Sequence, residues 1–311
     1  MNEPLWVWLV FNAFVVMMIF IDLAIPKNKA QAISIPQALV KSSIWILLAL
    51  LFNGLVYVYL GQEAALNFLA GYLIEKTLSL DNLFVFLMIF HYFQTPPKYQ
   101  HQILFWGIIG AILMRALFIF IGISLINKLH WIIYLFAIFL LYASFKMIFA
   151  QDKKIHPENN PLLKLLRKWI PLASDYSGHQ LFVKRLNGWL MTPLFVVLMS
   201  IETADLIFAL DSIPAVLAIT RDPFIVYTSN IFAILGLRSL YFALAGLIPL
   251  FHHLHYGLAA ILAFVSIKML LSAWIEIPIS IVLAFITLAI VSSIVASKYW
   301  PKQDNINTGS P

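Results

Sequence analysis

Cysteine is absent from all 311 residues, which excludes disulfides, thiolate metal ligands and a cysteine nucleophile. Any metal must therefore be held by oxygen or imidazole. Charge is scarce as well: Asp, Glu, Lys and Arg make up 11% of the chain, against about a quarter in an ordinary soluble domain. A chain this poor in charge and 62% hydrophobic is a polytopic membrane protein, embedded in a lipid bilayer. That leaves no soluble domain to house an enzyme, and the expectation is a protein that is not one. Acidic residues are fewer than basic ones, 14 against 20, for a net charge of +6. In a soluble protein this excess would suggest nucleic acid. Here the basic residues gather in a few connecting segments, as membrane orientation requires, so no nucleic-acid partner is implied. The start, Met1-Asn2-Glu3-Pro4, has no basic run, and no small-residue cleavage site follows the first apolar stretch. The first helix is expected to be retained.

With about 20 apolar residues needed per crossing, the sequence predicts nine helices: Pro4 to Ile25, Lys41 to Leu60, Leu66 to Phe90, Tyr99 to Ile126, Trp131 to Ala150, Met191 to Pro214, Phe224 to Leu247, Gly257 to Ile275 and Pro278 to Ser297. Lys27, Lys29, Lys41, Lys98, the basic residues of the fifth connection, Lys298 and Lys302 fall on one side, against Lys128 and Arg221 on the other. Positive charge marks the cytoplasmic side. The amino terminus is therefore expected outside and the carboxyl terminus inside, in a bacterial inner membrane. The one long connection, 151–190, holds the run Pro161 to Ile170, which reads as a basic amphipathic helix lying on the anionic inner leaflet. The polar tail from Gln303 to Pro311 reads as disordered.

Polar residues inside the spans recur in order. Asp81, Arg115 and Lys146 occupy the third to fifth helices, and Asp205, Arg238 and Lys268 the sixth to eighth, with each spacing matched to within one residue. The wording around them agrees, as in Ser79-Leu80-Asp81-Asn82-Leu83-Phe84 against Thr203-Ala204-Asp205-Leu206-Ile207-Phe208. Each unit has three helices, an odd number, so the second must enter the membrane from the opposite side. The expected fold is an all-α bundle of about nine transmembrane helices containing an inverted 3+3 repeat, a design that secondary transporters use around a midplane site. The organisation that follows is two leading helices in 1–65, a first repeat in 66–150, the connection 151–190, a second repeat in 191–275, and a final helix with its tail in 276–311.

The acids inside the spans carry the chemistry. A carboxylate at bilayer depth costs at least about 2.5 kcal/mol on insertion scales, so it faces a partner or a wet cavity. Glu202 and Asp205, three apart, share a helix face. Asp211 lies about 120° away on an ideal helix and joins them only if the helix unwinds, for which Pro214, unable to bond the Leu210 carbonyl, supplies a reason. In the third helix Glu75 and Asn82, seven apart, align, with Asp81 about 120° from Glu75. Brought together these residues form a hard-oxygen site for Mn, Mg or Ca, not for copper or zinc. None of the eight histidines falls mid-span. His252, His253 and His255 form a cluster that reads as a solvated turn or as a cytoplasmic metal-sampling or pH-sensing patch. Arg115, Arg238, Lys76 and Lys268 compensate the acidic charge, either as buried pairs that lock the helices together or as groups that hold the empty site and move when a cation displaces them. Asp22 reads as interfacial, and Lys146, near its helix end, snorkels.

The strings Glu75-Lys76-Thr77-Leu78-Ser79-Leu80-Asp81-Asn82-Leu83-Phe84-Val85-Phe86 and Ile201-Glu202-Thr203-Ala204-Asp205-Leu206-Ile207-Phe208-Ala209-Leu210-Asp211-Ser212-Ile213-Pro214-Ala215 resemble the two signature segments of the TerC family of bacterial integral membrane proteins. The resemblance covers roughly Met1 to Ser297. It implies an inner-membrane protein of the Alx or TerC type, linked to manganese export and, in some members, to tellurium resistance or metallation of secreted enzymes. It also implies that Glu75, Asp81, Asn82, Glu202, Asp205 and Asp211 matter for metal. Manganese comes from this resemblance; the residues alone say a hard divalent cation. The expected function is export of Mn²⁺, with protons as coupling ion. A non-transporting scaffold that binds metal or partner proteins is the alternative. Two weaker readings are a photoreceptor with Lys268 as its Schiff-base lysine and an intramembrane protease using Asp81 and Asp205. The repeat mate Lys146 argues against the first, and the missing catalytic glycine motif against the second.

Overall fold

In a hydrocarbon environment every backbone donor and acceptor must be satisfied within the chain, so long apolar runs become helices. A computed structural model describes residues 3–24, 35–129, 131–149, 180–185, 188–244, 253–272 and 274–299. The helices are α1 (Leu5–Ala24), α2 (Ile35–Leu60), α3 (Gln62–Tyr92), α4 (Pro97–Lys128), α5 (Ile132–Phe149), α6 (Pro193–Leu217), α7 (Pro223–Ile234), α8 (Leu237–Leu244), α9 (Leu254–Leu271) and α10 (Ile279–Tyr299). Because α7 and α8 are two parts of one interrupted span, these ten helices among the described residues correspond to the nine expected ones. Among the described residues seven spans are long and apolar enough to cross a membrane by themselves. The 31-residue α3 is not one of them, in keeping with Glu63, Glu75, Lys76 and Asp81 along it.

Local signals set the starts. Thr192 caps α6, its hydroxyl accepting from Phe195 N at 3.4 Å, and Asp222 caps α7 by accepting from Phe224 N at 2.9 Å and Ile225 N at 3.2 Å. Each cap is followed by a proline at the first helical position, where the missing N–H costs nothing. Ahead of α6 a short antiparallel hairpin, β1 (Phe182–Arg185) with β2 (Gly188–Met191), pairs Phe182 with Met191 and Arg185 with Gly188. The sequence pattern predicts a connection up to 190 and a helix from Met191, so the hairpin and the later helix start are departures from it. The amphipathic helix expected over 161–170 and the tail from 303 onward lie outside the described residues.

The helix contacts show the repeat. Gly107 faces Ile201, Gly110 faces Glu202 and Gly122 faces Leu217, so α4 and α6 run parallel. Gly71 faces Ser229 while Lys76 reaches Ala233, so α3 and α7 also run parallel. Helices α5 and α9 run antiparallel: the Ser144 hydroxyl donates to the Ala259 carbonyl at 2.8 Å, and the Ser266 hydroxyl donates to the Ala137 carbonyl at 2.6 Å. That pair of bonds is reciprocal. Adding one constant offset of 122 turns Ser144 into Ser266 and Ala137 into Ala259, the signature of a two-fold axis between the helices. Exchanging α3, α4 and α5 for α6, α7 and α9 also exchanges the α3–α7 contact for the α6–α4 contact. The repeat is inverted, as the count of three helices per unit predicts.

One expectation about helix shape moves. Unwinding was anticipated at Pro214, yet α6 continues through it to Leu217. Proline there sits in the last turns, where it costs one backbone bond, and Val216 and Leu217 are held against Gly71 of α3 and Gly122 of α4. The interruption falls instead between α7 and α8. Leu235 leaves the helix with φ −58° and ψ 128°, and Gly236 has φ +86°, a left-handed conformation natural to glycine. Outside the repeats, α1 and α2 bring Phe11, Phe14 and Phe52 against Phe224 and Phe232 of α7. The Tyr227 hydroxyl donates to Asn12 Oδ1 of α1 at 2.7 Å.

Candidate ion centre between the repeats

Helix α7 is buried on all sides, so its polar residues must find partners inside the protein. Thr228 and Asn230 bond back to their own helix, Thr228 Oγ1 to Phe224 O at 2.7 Å and Asn230 Nδ2 to Val226 O at 2.9 Å. This leaves the Asn230 Oδ1 carbonyl aimed inward. Arg115 of α4, fully buried, lies opposite. Its guanidinium donates through Nη1 to Glu75 Oε1 of α3, to Ser212 Oγ of α6 at 3.2 Å and to Asn230 Oδ1 of α7 at 3.3 Å, and through Nη2 to Asp205 Oδ1 of α6 at 3.4 Å. The Ser79 hydroxyl also donates to Glu75 Oε1 at 3.4 Å. Four helices, two from each repeat, therefore meet on one cation, and every residue named is at most 5% exposed.

The centre is not saturated. Glu75 Oε2, Asp205 Oδ2 and Arg115 Nε are buried without a hydrogen-bond partner. A buried polar atom left unpaired costs about 1–3 kcal/mol, and more when it is charged. With two carboxylates to one guanidinium, the cluster also carries an excess of one negative charge.

The expected ligands are only partly brought together. Glu75 and Asp205 join one guanidinium, so the α3 acid that meets Asp205 is Glu75, although the wording of the repeat aligns Asp81 with it. Asp81 is half-buried on the same helix and Asn82 is buried. Glu202 lies against α4 at Gly110, where a Cβ would overlap its carboxylate, and is near enough to Asp205 for the two charges to repel. Asp211 is acted on by the Lys146 ammonium instead. Among the described residues no three His, Asp or Glu side chains form a ready-made metal centre.

The lysines take a different role from carboxylate partners. Lys76 Nζ donates to the Ala233 carbonyl at 3.2 Å, at the interrupted end of α7, and Lys268 Nζ donates to the Ala218 carbonyl at 2.9 Å, at the end of α6. Both ammonium groups thus sit on the negative ends of helices, where orphan carbonyls need donors. Arg238 lies half-buried on α8.

Ser212 and Asn230 were not foreseen as site residues: Ser212 is overshadowed by the neighbouring Asp211, and Asn230 stands on a helix that carries no acid. One signal for the broken span was present. Ala111-Ile112-Leu113 repeats as Ala233-Ile234-Leu235, and Arg115-Ala116-Leu117-Phe118 as Arg238-Ser239-Leu240-Tyr241. Between them the first repeat has Met114 where the second has Gly236-Leu237. The interruption falls at that one-residue insertion.

The profile of the integral membrane protein TerC family matches residues 60–305. A Salmonella typhi protein named "Putative membrane-bound redox modulator Alx" is 45% identical over 289 residues, covering 90% of this chain and 89% of its own. Its Escherichia coli K12 counterpart of the same name is 44% identical over 289 residues, 90% of each. An uncharacterized membrane protein of Myxococcus xanthus is 42% identical over 301 residues, 96% of this chain and 94% of its own. No solved structure matches.

Proposed function

This chain belongs to the TerC family of integral membrane proteins, and on that premise we propose that it is a carrier exporting a hard divalent cation, Mn²⁺ foremost, through the centre between its repeats. The observation that carries this reading is the pair of unpartnered oxygens, Glu75 Oε2 and Asp205 Oδ2, one on each repeat and both buried beside Arg115. The donors that converge there, two carboxylates, a hydroxyl and an amide carbonyl, are all hard oxygens. That set suits Mn²⁺, Mg²⁺ or Ca²⁺. Asp81, Asn82, Glu202 and Asp211 line the same two acidic helices and serve as stations along the route. The distribution of Lys and Arg supports an orientation with the amino terminus outside and the carboxyl terminus in the cytoplasm. Expelling a doubly charged ion from a negative-inside cell works against about 2.3 kcal/mol per charge per 100 mV. Inward movement of protons offsets that work.

The name of the enteric relatives speaks of redox modulation. With no cysteine this chain has no thiol–disulfide couple of its own, so such an effect would follow from metal balance. The scaffold alternative is separated by measurement. Purified protein in liposomes, loaded with Mn²⁺, Mg²⁺ or Ca²⁺ with and without a pH gradient, is expected to release Mn²⁺, and Glu75→Gln or Asp205→Asn is expected to abolish release without preventing insertion. Unchanged release from both variants sinks the site. Binding without release by the parent establishes the scaffold.

A further inference from the structure

We infer that the Arg115 guanidinium is a tethered stand-in for the cargo: guanidinium and cation occupy the same seat in turn, and the seat comprises Glu75, Asp205, Ser212 and Asn230. This rests on the carrier reading and says how the site exists between cargoes. The geometry supports it at two points. All four seat oxygens converge on one buried cationic group. Each of the two carboxylates spends one oxygen on the guanidinium and keeps the other unpaired. Arginine therefore compensates the seat's charge without exhausting its ligands. A guanidinium carries one positive charge and a divalent cation two, so the cargo satisfies both carboxylates where the arginine satisfies them only in part. A long side chain on a helix can swing out, whereas a fixed dipole cannot.

The insertion at Gly236 explains why one arginine plays this part although the repeat supplies two. One extra residue turns whatever follows by about 100° relative to the register of α4. Arg115 stays in the unbroken phase and is fully buried, while Arg238 follows the insertion and is half-buried. Two guanidiniums facing two carboxylates would neutralise the seat and leave a cation nothing to gain.

Arg115→Gln and Arg115→Lys test this with calorimetric Mn²⁺ binding, the rise in melting temperature on adding Mn²⁺, and flux in liposomes. With its internal competitor removed, the Arg115→Gln protein is expected to bind Mn²⁺ roughly tenfold or more tightly than the parent, because a unit charge a few ångströms away is worth more than that factor even with strong screening. Its melting temperature should rise more on adding Mn²⁺, and its flux should fall, since nothing is left to displace the bound ion. Arg115→Lys, with a compact ammonium that reaches fewer of the oxygens, is expected to fall between. A folded Arg115→Gln protein that binds Mn²⁺ no more tightly than the parent, or that transports at the parent's rate, overturns the inference. Should Arg115→Gln fold only when prepared with Mn²⁺, the ion is replacing the guanidinium and the inference stands. Should it fold under neither condition, unchanged affinity in Arg115→Lys overturns it. A parent that binds none of Mn²⁺, Mg²⁺ and Ca²⁺ refutes the carrier reading itself.

Discussion

Replacing Gly236 by alanine separates an interrupted seventh span from a continuous one, because the two give opposite signs. In a continuous helix, glycine to alanine stabilises by about 1 kcal/mol. Here the residue has φ +86°, which an L side chain adopts at a cost of about 1–2 kcal/mol. Its new Cβ would also stand 2.7 Å from Trp45 Cγ and Cδ1 of α2, and overpacking of that kind costs about 1–3 kcal/mol. Alanine's smaller unfolded-state freedom returns about 0.4–1 kcal/mol. The net expectation is a loss of about 2–4 kcal/mol, a fall in melting temperature on the order of 5–10 °C, read by thermal unfolding in detergent. Part of the loss belongs to the indole. In a Trp45→Ala background the same glycine substitution should cost about 1–3 kcal/mol less, while the backbone part persists. A Gly236→Ala protein as stable as the parent, or more so, would show that the span is continuous and that the account of the break is wrong.

The reciprocal bonds between α5 and α9 give a second test. Ser144→Ala and Ser266→Ala should each cost about 0.6 kcal/mol, with an upper range near 1.7, and the two should agree within about 0.5 kcal/mol; a large disparity by detergent unfolding would deny the two-fold. At Gly110, alanine would push the Glu202 carboxylate off α4. The helix should keep its stability while Mn²⁺ release from liposomes falls, and normal release would remove Glu202 from the route. At Gly257, a Cβ would overlap Ser293 and approach the Ala289 carbonyl to 2.9 Å. Alanine there should destabilise the α9–α10 contact by about 1–3 kcal/mol without changing cation affinity, as calorimetry on the folded fraction would show.

What the sequence made legible follows from how little charge it holds. With so few ionisable residues inside the spans, the order Asp81, Arg115, Lys146 against Asp205, Arg238, Lys268 stands out, and three helices per unit dictate inversion. Span boundaries came within a few residues for most helices, since apolar length sets them. Three features were hidden. Which acids meet depends on how α3 and α6 slide past one another, and side-chain spacing along single helices does not fix that, so Glu75 meets Asp205 where the motif suggested Asp81. Asn230 contributes through a carbonyl freed by its bond to Val226 O, a detail set by the buried surroundings of α7. The break at Gly236 was written as an insertion of one residue, yet a proline in the neighbouring span offered a louder signal. Pro214 lost because tight packing of Val216 and Leu217 holds α6 helical beyond it.

In the proposed carrier the symmetric and asymmetric parts of the fold would have different consequences for alternating access. Contacts that the two-fold maps onto one another, such as Ser144 with Ala259 and Ser266 with Ala137, have the same energy in two states related by exchange of the repeats. They hold the pair together and bias neither state. Bias must come from what the axis does not reproduce: the interruption at Gly236, the Lys76 ammonium on the Ala233 carbonyl beside it, and the single arginine shared by Glu75 and Asp205. A ligand shifts such an equilibrium only by its differential affinity for the two states. On the proposed exchange, a cation that competes with Arg115 would have that difference built in, because its binding would release a guanidinium on α4 that has no counterpart in the same phase on α7. The one-residue insertion is thus where the two states of the proposed carrier would come to differ in energy.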